Sequence, residues 1–134
     1  MGVIYLDSCL LVYVVEEHPS FGEPVRNAID AESEIEFVIS PLVKLECLVK
    51  PLMSGNIALK KRYESAFSAL GTVTMPEEVY LDAALLRARF KLKTPDAIHL
   101  SCCQYHQCTS LWTNDNRFAN SGHGVIKNIL KSEN

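Results

Sequence analysis

The sequence predicts an α/β fold with a parallel sheet covered on both faces by helices. Three observations predict it. Short apolar runs rich in β-branched and aromatic residues, such as Val3-Ile4-Tyr5-Leu6 and Glu36-Phe37-Val38-Ile39, read as buried strands. Segments of helical periodicity separate them, which is the pattern of βαβ units. Ser-Pro and Thr-Pro pairs punctuate the chain where helices should begin. With 134 residues, 48% of them hydrophobic and 22% charged, the chain has the length of one compact domain and enough apolar material for a core. No linker or internal repeat divides it, so residues 1–134 are expected to form a single domain.

The elements follow in order. Residues 3–6 form the first strand, which ends at Asp7-Ser8. Residues 9–17 keep apolar side chains at 10, 11, 14 and 15, a helical spacing stopped by His18-Pro19. Ser20 is placed to cap a second helix over 21–31, with Pro24 in its first turn. The second strand, 36–39, closes at Ser40-Pro41, and this cap and N1 proline launch a third helix carrying Leu42, Leu45, Glu46 and Val49. Past Pro51 and Gly55-Asn56, a basic amphipathic helix covers 57–70. Residues 71–75 read as a short strand, and Pro76 opens a helix to 91. Thr94-Pro95-Asp96 repeats the cap-then-proline signature and starts a helix to 107. Residues 110–113 form a strand ending at Asn114-Asp115, and Val125-Ile126 a last one.

Composition excludes several classes. No apolar run reaches the roughly 18 residues of a membrane-spanning helix. The start, Met1 to Asp7, has no basic residue before its apolar stretch, so a secretory signal is not expected. Leu6 stands where an N-myristoylation signal needs Ser or Thr. Five cysteines, an odd number with no C-x-x-C pair, argue against a disulfide framework. A cytoplasmic protein with no membrane association is the expectation. The net charge of −3 gives no basic field for reading DNA, but it does not exclude an enzyme acting on a phosphodiester, because an acidic metal pocket can account for the negative sign.

Ligands of open α/β sheets sit outside the carboxyl ends of the strands. Asp7 and Asp115 fall at such ends, Asp96 lies in the first turn of a helix, and Glu46 sits between Leu45 and Cys47, an acid in an apolar surround. Four converging carboxylates repel one another unless a divalent cation neutralises them. Each acid also has a structural reading. Asp7 and Asp115 suit turns or helix caps, Asp96 favours its helix terminus through the dipole, and Glu46 suits an ion-paired surface position.

The blocks that carry these acids point to a family. Val3-Ile4-Tyr5-Leu6-Asp7-Ser8, Ser40-Pro41-Leu42-Val43-Lys44-Leu45-Glu46, Thr94-Pro95-Asp96-Ala97-Ile98-His99-Leu100 and Trp112-Thr113-Asn114-Asp115 with Phe118 resemble, in order, the four blocks of the PIN domain. The likeness is strongest to VapC toxins of toxin–antitoxin pairs. It implies a three-layer α/β/α fold with a central parallel sheet, and a Mg²⁺- or Mn²⁺-dependent endoribonuclease. By position, Asp7, Glu46, Asp96 and Asp115 match that family's acidic metal site, and Ser8, Thr113 and Asn114 its neighbouring polar residues. Hard cations held by carboxylates suit phosphodiester hydrolysis. Thr113 or Ser8 is placed to hydrogen-bond a carboxylate or metal-bound water, and Ser8 suits a helix cap equally well. The resemblance also implies an RNA substrate, a cognate antitoxin and a homodimer. A catalytically silent PIN-like module that binds RNA or protein is the alternative. A phosphotransfer role for Asp7 lacks its D-x-D-x-T pattern, since Cys9 stands at the second Asp, and there is no Walker-type loop.

Other features carry less. His99, Cys102, Cys103 and His106 share one helix stripe, but spread along about 10 Å they cannot wrap one tetrahedral ion; they read as packing residues, with His99 oriented by hydrogen bonds. Basic residues gather at Lys60-Lys61-Arg62 and at Arg87, Arg89, Lys91 and Lys93, and Arg117 is the base expected nearest the pocket rim. Setting the four candidate acids aside, the net charge of −3 becomes +1, compatible with modest phosphate attraction. The apolar stripes of residues 10–15 and of the 57–70 helix offer surface for a partner if the core does not consume them.

Overall fold

A computed structural model describes residues 2–130. The elements in chain order are β1 (Gly2–Leu6), α1 (Ser8–Val15), α2 (Gly22–Asp30), β2 (Ile35–Ile39), α3 (Pro41–Ser54), α4 (Ile57–Ser68), β3 (Gly71–Thr72), α5 (Glu77–Phe90), α6 (Thr94–Tyr105), β4 (Ser110–Thr113), α7 (Asn116–Ala119) and β5 (Ile126–Asn128). The strands form one parallel sheet in the order β3-β2-β1-β4-β5, flanked by helices in the predicted α/β/α arrangement.

β1 is the central strand. Ile4 pairs with Phe37 on one side and Tyr5 with Leu111 on the other. The chain winds outward from β1 through β2 to β3, then returns to lay β4 and β5 on the opposite flank. The strand order therefore reverses between β1 and β4, and the crevice outside their carboxyl ends is where such sheets bind ligands. Burial on both faces explains the continuous apolar runs: Ile4, Tyr5 and Leu6, and all of Ser110–Thr113, are buried.

Local chemistry sets the helix ends near that crevice. Ser40 Oγ accepts from Val43 N–H at 3.3 Å and Pro41 occupies the first helical position, so α3 starts where the sequence predicts. It runs through the buried Pro51 and stops at Gly55, whose φ of 65° is the left-handed C-terminal conformation glycine supplies at low cost. Asn56 then caps α4 by accepting from Leu59 N–H at 3.0 Å.

Several local expectations need correction. Ser20 caps nothing: α2 starts at Gly22, and His18 Nδ1 accepts from both Ser20 N–H and Phe21 N–H at 3.1 Å. Thr94 is not a cap but the first residue of α6, and its Oγ1 accepts from Arg87 Nη1 at 2.8 Å. The strand expected over 71–75 is only Gly71–Thr72, the last strand shifts to Ile126–Asn128, and the short α7 was not predicted. The apolar stripes of α1 and α4 are consumed by the core, since Leu10, Leu11, Val15, Leu59, Tyr63 and Phe67 are all buried. Apolar surface is instead left on α3, where Leu45, Val49, Leu52 and Met53 are exposed with Ile57 beside them, and on α5 at Tyr80, Leu81 and Leu85. Cys47, Cys102, Cys103 and Cys108 are buried free thiols. Among the described residues no helix is long and apolar enough to cross a membrane.

Candidate active site

Asp7 closes β1 and opens α1. Its backbone N–H continues the β1–β4 ladder to Trp112 O at 3.0 Å. Its carboxylate is clamped at both oxygens: Oδ1 accepts from Ser8 N–H at 2.8 Å, and Oδ2 accepts from Thr113 Oγ1 at 2.8 Å. Ser8 Oγ approaches Oδ1 at 3.5 Å. The residue that caps α1 is thus Asp7, and Ser8 is the first residue of that helix. Thr113 Oγ1 in turn accepts from Asp115 N–H at 3.0 Å, so one hydroxyl ties the carboxyl ends of β1 and β4 together. Asp115 Oδ1 accepts from Arg117 N–H at 2.9 Å and Phe118 N–H at 3.2 Å and starts α7. Asn114 Nδ2 donates to Tyr13 Oη at 3.1 Å.

Glu46 reaches the same crevice from α3. Leu45 beside it is exposed, so only Cys47 of the two flanking residues supplies the apolar surround expected from sequence. What holds Glu46 is His99, on α6. His99 Nε2 lies 2.7 Å from Glu46 Oε1 and 3.8 Å from Asp7 Oδ1. On the other ring nitrogen, His99 Nδ1 lies 2.6 Å from Tyr5 Oη, and Tyr5 Oη lies 2.6 Å from Ser40 Oγ. Tyr5, Ser40 and His99 are buried. Burial pulls the His99 imidazole down, but the Glu46 hydrogen bond and the charges of Asp7, Glu46 and Asp96 outweigh it and hold the ring above its ordinary value. If Tyr5 donates to Nδ1, the proton sits on Nε2; if the ring is charged, Nε2 still carries one. In both arrangements Nε2–H donates to Glu46 and fixes its carboxylate.

Removing one hydroxyl tests this relay. Tyr5→Phe leaves His99 Nδ1 and Ser40 Oγ each short of a buried partner, at an expected cost of about 1–3 kcal/mol in urea unfolding. A change within about 0.5 kcal/mol, the ordinary range of a surface substitution, contradicts it.

Asp7, Glu46 and His99 each offer a ligand atom within 4.8 Å of the others. Asp96 and Asp115 line a neighbouring cavity of about 250 Å³ whose walls include Lys93 and Arg117. Burial, then the charges of Asp7 and Asp115, push the Asp96 carboxyl above its ordinary value, so the two acid groups share one field. Arg117, expected to be the base nearest the rim, is on that cavity's wall, and it shares the wall with Lys91 and Lys93. The thiols nearby are poor nucleophiles: burial and then the Asp7 charge push Cys9 up to about 12, and burial and then the Glu46 charge do the same to Cys47. Sequence reasoning undervalued His99 and missed Tyr5 and Ser40. The one available signal was the spacing of Asp96 and His99, one helical turn apart on a single face. With Nε2 protonated toward Glu46, the donors left for a cation are carboxylate oxygens, a hard set suited to a hard divalent cation.

A search of curated proteins finds no match to the sequence. Solved structures do match in shape. A toxin–antitoxin complex from Klebsiella pneumoniae superposes with a TM-score of 0.80 at 20% identity, covering 96% of this chain and 99% of that one. VapBC2 from Rickettsia felis bound to a promoter DNA fragment gives a TM-score of 0.80 at 16% identity, over 93% of this chain and 97% of that one. VapC20 from Mycobacterium tuberculosis, a sarcin-ricin loop cleaving toxin, gives 0.72 at 12% identity, over 89% and 95%. At these identities the likeness is one of fold. The sequence itself matches the PIN domain family model over residues 4–123, a span that takes in all four acids, and the chain belongs to the PIN domain family.

Proposed function

We propose that this chain is a divalent-cation-dependent endoribonuclease and the toxin of a VapBC-type toxin–antitoxin pair. The observation that carries the reading is the meeting of Asp7 and Glu46, from β1 and α3, at the strand-order reversal, with Asp96 inside the field of Asp7 and Asp115. Asp7, Glu46, Asp96 and Asp115 would hold Mg²⁺ or Mn²⁺. A bound cation supplies an activated water and neutralises charge on the phosphoryl oxygens. The protein's own part is positioning. Thr113 and the Ser8 N–H fix the Asp7 carboxylate, and His99 fixes that of Glu46.

The toxin–antitoxin complexes among the structural neighbours support an antitoxin partner. An inhibitory segment that reached the acids would present Arg or Lys to them. The exposed α3 stripe of Leu45, Val49 and Leu52, at helical spacing, supports contact with a second copy of the chain. An RNA substrate and an antitoxin partner would support a cytoplasmic activity.

The test is incubation of the purified, partner-free protein with structured and unstructured RNAs in Mg²⁺, Mn²⁺ or chelator. Internal cuts that appear with metal and stop with chelator are expected. Intact RNA with either metal, or cuts indifferent to chelator, overturns the reading.

A further inference from the structure

We propose that the groove between the α5–α6 connection and α7 is a binding site for single-stranded RNA, in which Phe90 stacks a base and Lys91, Lys93 and Arg117 take the adjoining phosphates. This rests on the ribonuclease reading above and assigns its substrate a path past the acids.

The groove is the cavity of about 250 Å³ that Asp96 and Asp115 line on one side. Phe90, Lys91, Lys93 and Arg117 stand among its other walls, which Leu92, Phe118 and Ser121 complete. Three cations face the two acids in this cavity, which continues the acidic site away from Asp7 and Glu46. None of the three makes an ion pair among the described residues. Phe90, the last residue of α5, is 47% exposed although it is a large aromatic. His123 meets its ring edge-on, with centroids 4.6 Å apart and planes at 82°.

The connection that carries the lysines is built firmly. Lys91 takes the left-handed conformation at φ 57°, closing α5 with its N–H donating to Arg87 O at 3.0 Å. Leu92 is buried and anchors the turn between two exposed lysines. Arg87 staples it from behind, donating from Nε to Leu92 O at 2.9 Å and from Nη1 to Thr94 Oγ1 at 2.8 Å. The lysines are therefore presented by a fixed backbone. A ligand suited to these walls alternates anions with flat apolar rings, as an unpaired polynucleotide does. A duplex hides its base faces, so only an unpaired base can stack on Phe90.

Two readouts test the site. Anisotropy of a labelled single-stranded oligoribonucleotide, in chelator, reads binding without cleavage. Phe90→Ala is expected to weaken binding on the order of 10-fold. Phe90→Tyr, which keeps the ring, should restore it. Lys91→Gln with Lys93→Gln should lower the slope of log affinity against log salt by about 1.4, the value for two phosphates on a single strand. Duplex RNA should be insensitive to Phe90→Ala. In cleavage with Mn²⁺, the same variants should raise KM and leave kcat near wild type.

Wild-type affinity and salt slope in both Phe90→Ala and the double lysine variant overturn the proposal. So does a poly-aspartate peptide that binds the groove as tightly as RNA, which assigns it to an acidic protein segment. If wild type binds RNA in this way yet cuts nothing with either metal, the nuclease reading fails and the binding site stands.

Discussion

Replacing Asp7 by Asn should lower metal-dependent RNA cleavage by about 10²-fold or more, the scale of losing a main electrostatic stabiliser. The substitution keeps shape and removes the charge a cation needs. It also has a structural consequence that must be separated. Both Asp7 oxygens are acceptors, one from the Ser8 N–H and one from the Thr113 hydroxyl, and an Asn amide offers one acceptor only. If the amide nitrogen faces Thr113, that hydroxyl must turn elsewhere and the clamp between β1 and β4 weakens. Some loss of stability is therefore expected alongside the loss of activity, and thermal melts at the assay temperature separate the two. Asp7 acting only as the cap of α1 predicts a different pattern: reduced stability with metal-dependent cleavage intact. Expression should report the same contrast in cells. Wild type should arrest growth and Asp7→Asn should not, at matched protein levels. Full cleavage by folded Asp7→Asn under clean metal control contradicts the assignment.

The residues that set strands and helices were legible because each carries a local cause. Apolar runs buried on both faces marked β1, β2 and β4, and Ser40-Pro41 fixed the start of α3 through a side-chain bond that any sequence context permits. The failures share another cause, a tertiary contact that overrides a local signal. Ser20 is the exception, displaced by a local contact: the His18 ring accepts from the Ser20 and Phe21 N–H groups, and α2 starts at Gly22 without a side-chain cap. Thr94 loses its cap role because Arg87, seven residues earlier on α5, claims its hydroxyl. The four acids could be picked out by strand-end logic and by the blocks around them. The relay from Ser40 through Tyr5 to His99 could not, since its members come from β1, the end of β2 and α6 and meet only in the folded sheet. The apolar stripes of α1 and α4 were candidates for a partner surface, yet an apolar stripe alone does not tell a core face from a docking face. The surface left over is on α3, where Met53 is 83% exposed, and on α5.

Asp96 offers the sharpest discrimination between a cation site and a set of unrelated caps. Burial raises its carboxyl first, and the charges of Asp7 and Asp115 raise it further. A carboxyl raised in the folded state contributes stability below its unfolded titration range and loses it as pH rises through the folded one. At neutral pH the charged Asp96 therefore destabilises the metal-free protein, and this component is relieved in the chelated wild type as the pH falls into that range, while the Asp96→Asn protein lacks it. A cation that binds only the folded state adds RT ln(1 + [L]/Kd), about 2.7 kcal/mol at a hundredfold excess over Kd, which is several degrees of melting temperature for a domain of this size. A role confined to the start of α6 predicts the opposite sign in the metal-free protein, a loss of about 0.3–1 kcal/mol from the helix dipole. The deciding measurement is the melting temperature of Asp96→Asn against wild type at neutral pH, first in chelator and then with Mn²⁺. The clustered-carboxylate account predicts a higher melting temperature than wild type in chelator and a blunted rise with Mn²⁺. A lower melting temperature in chelator together with the full Mn²⁺ response would contradict it.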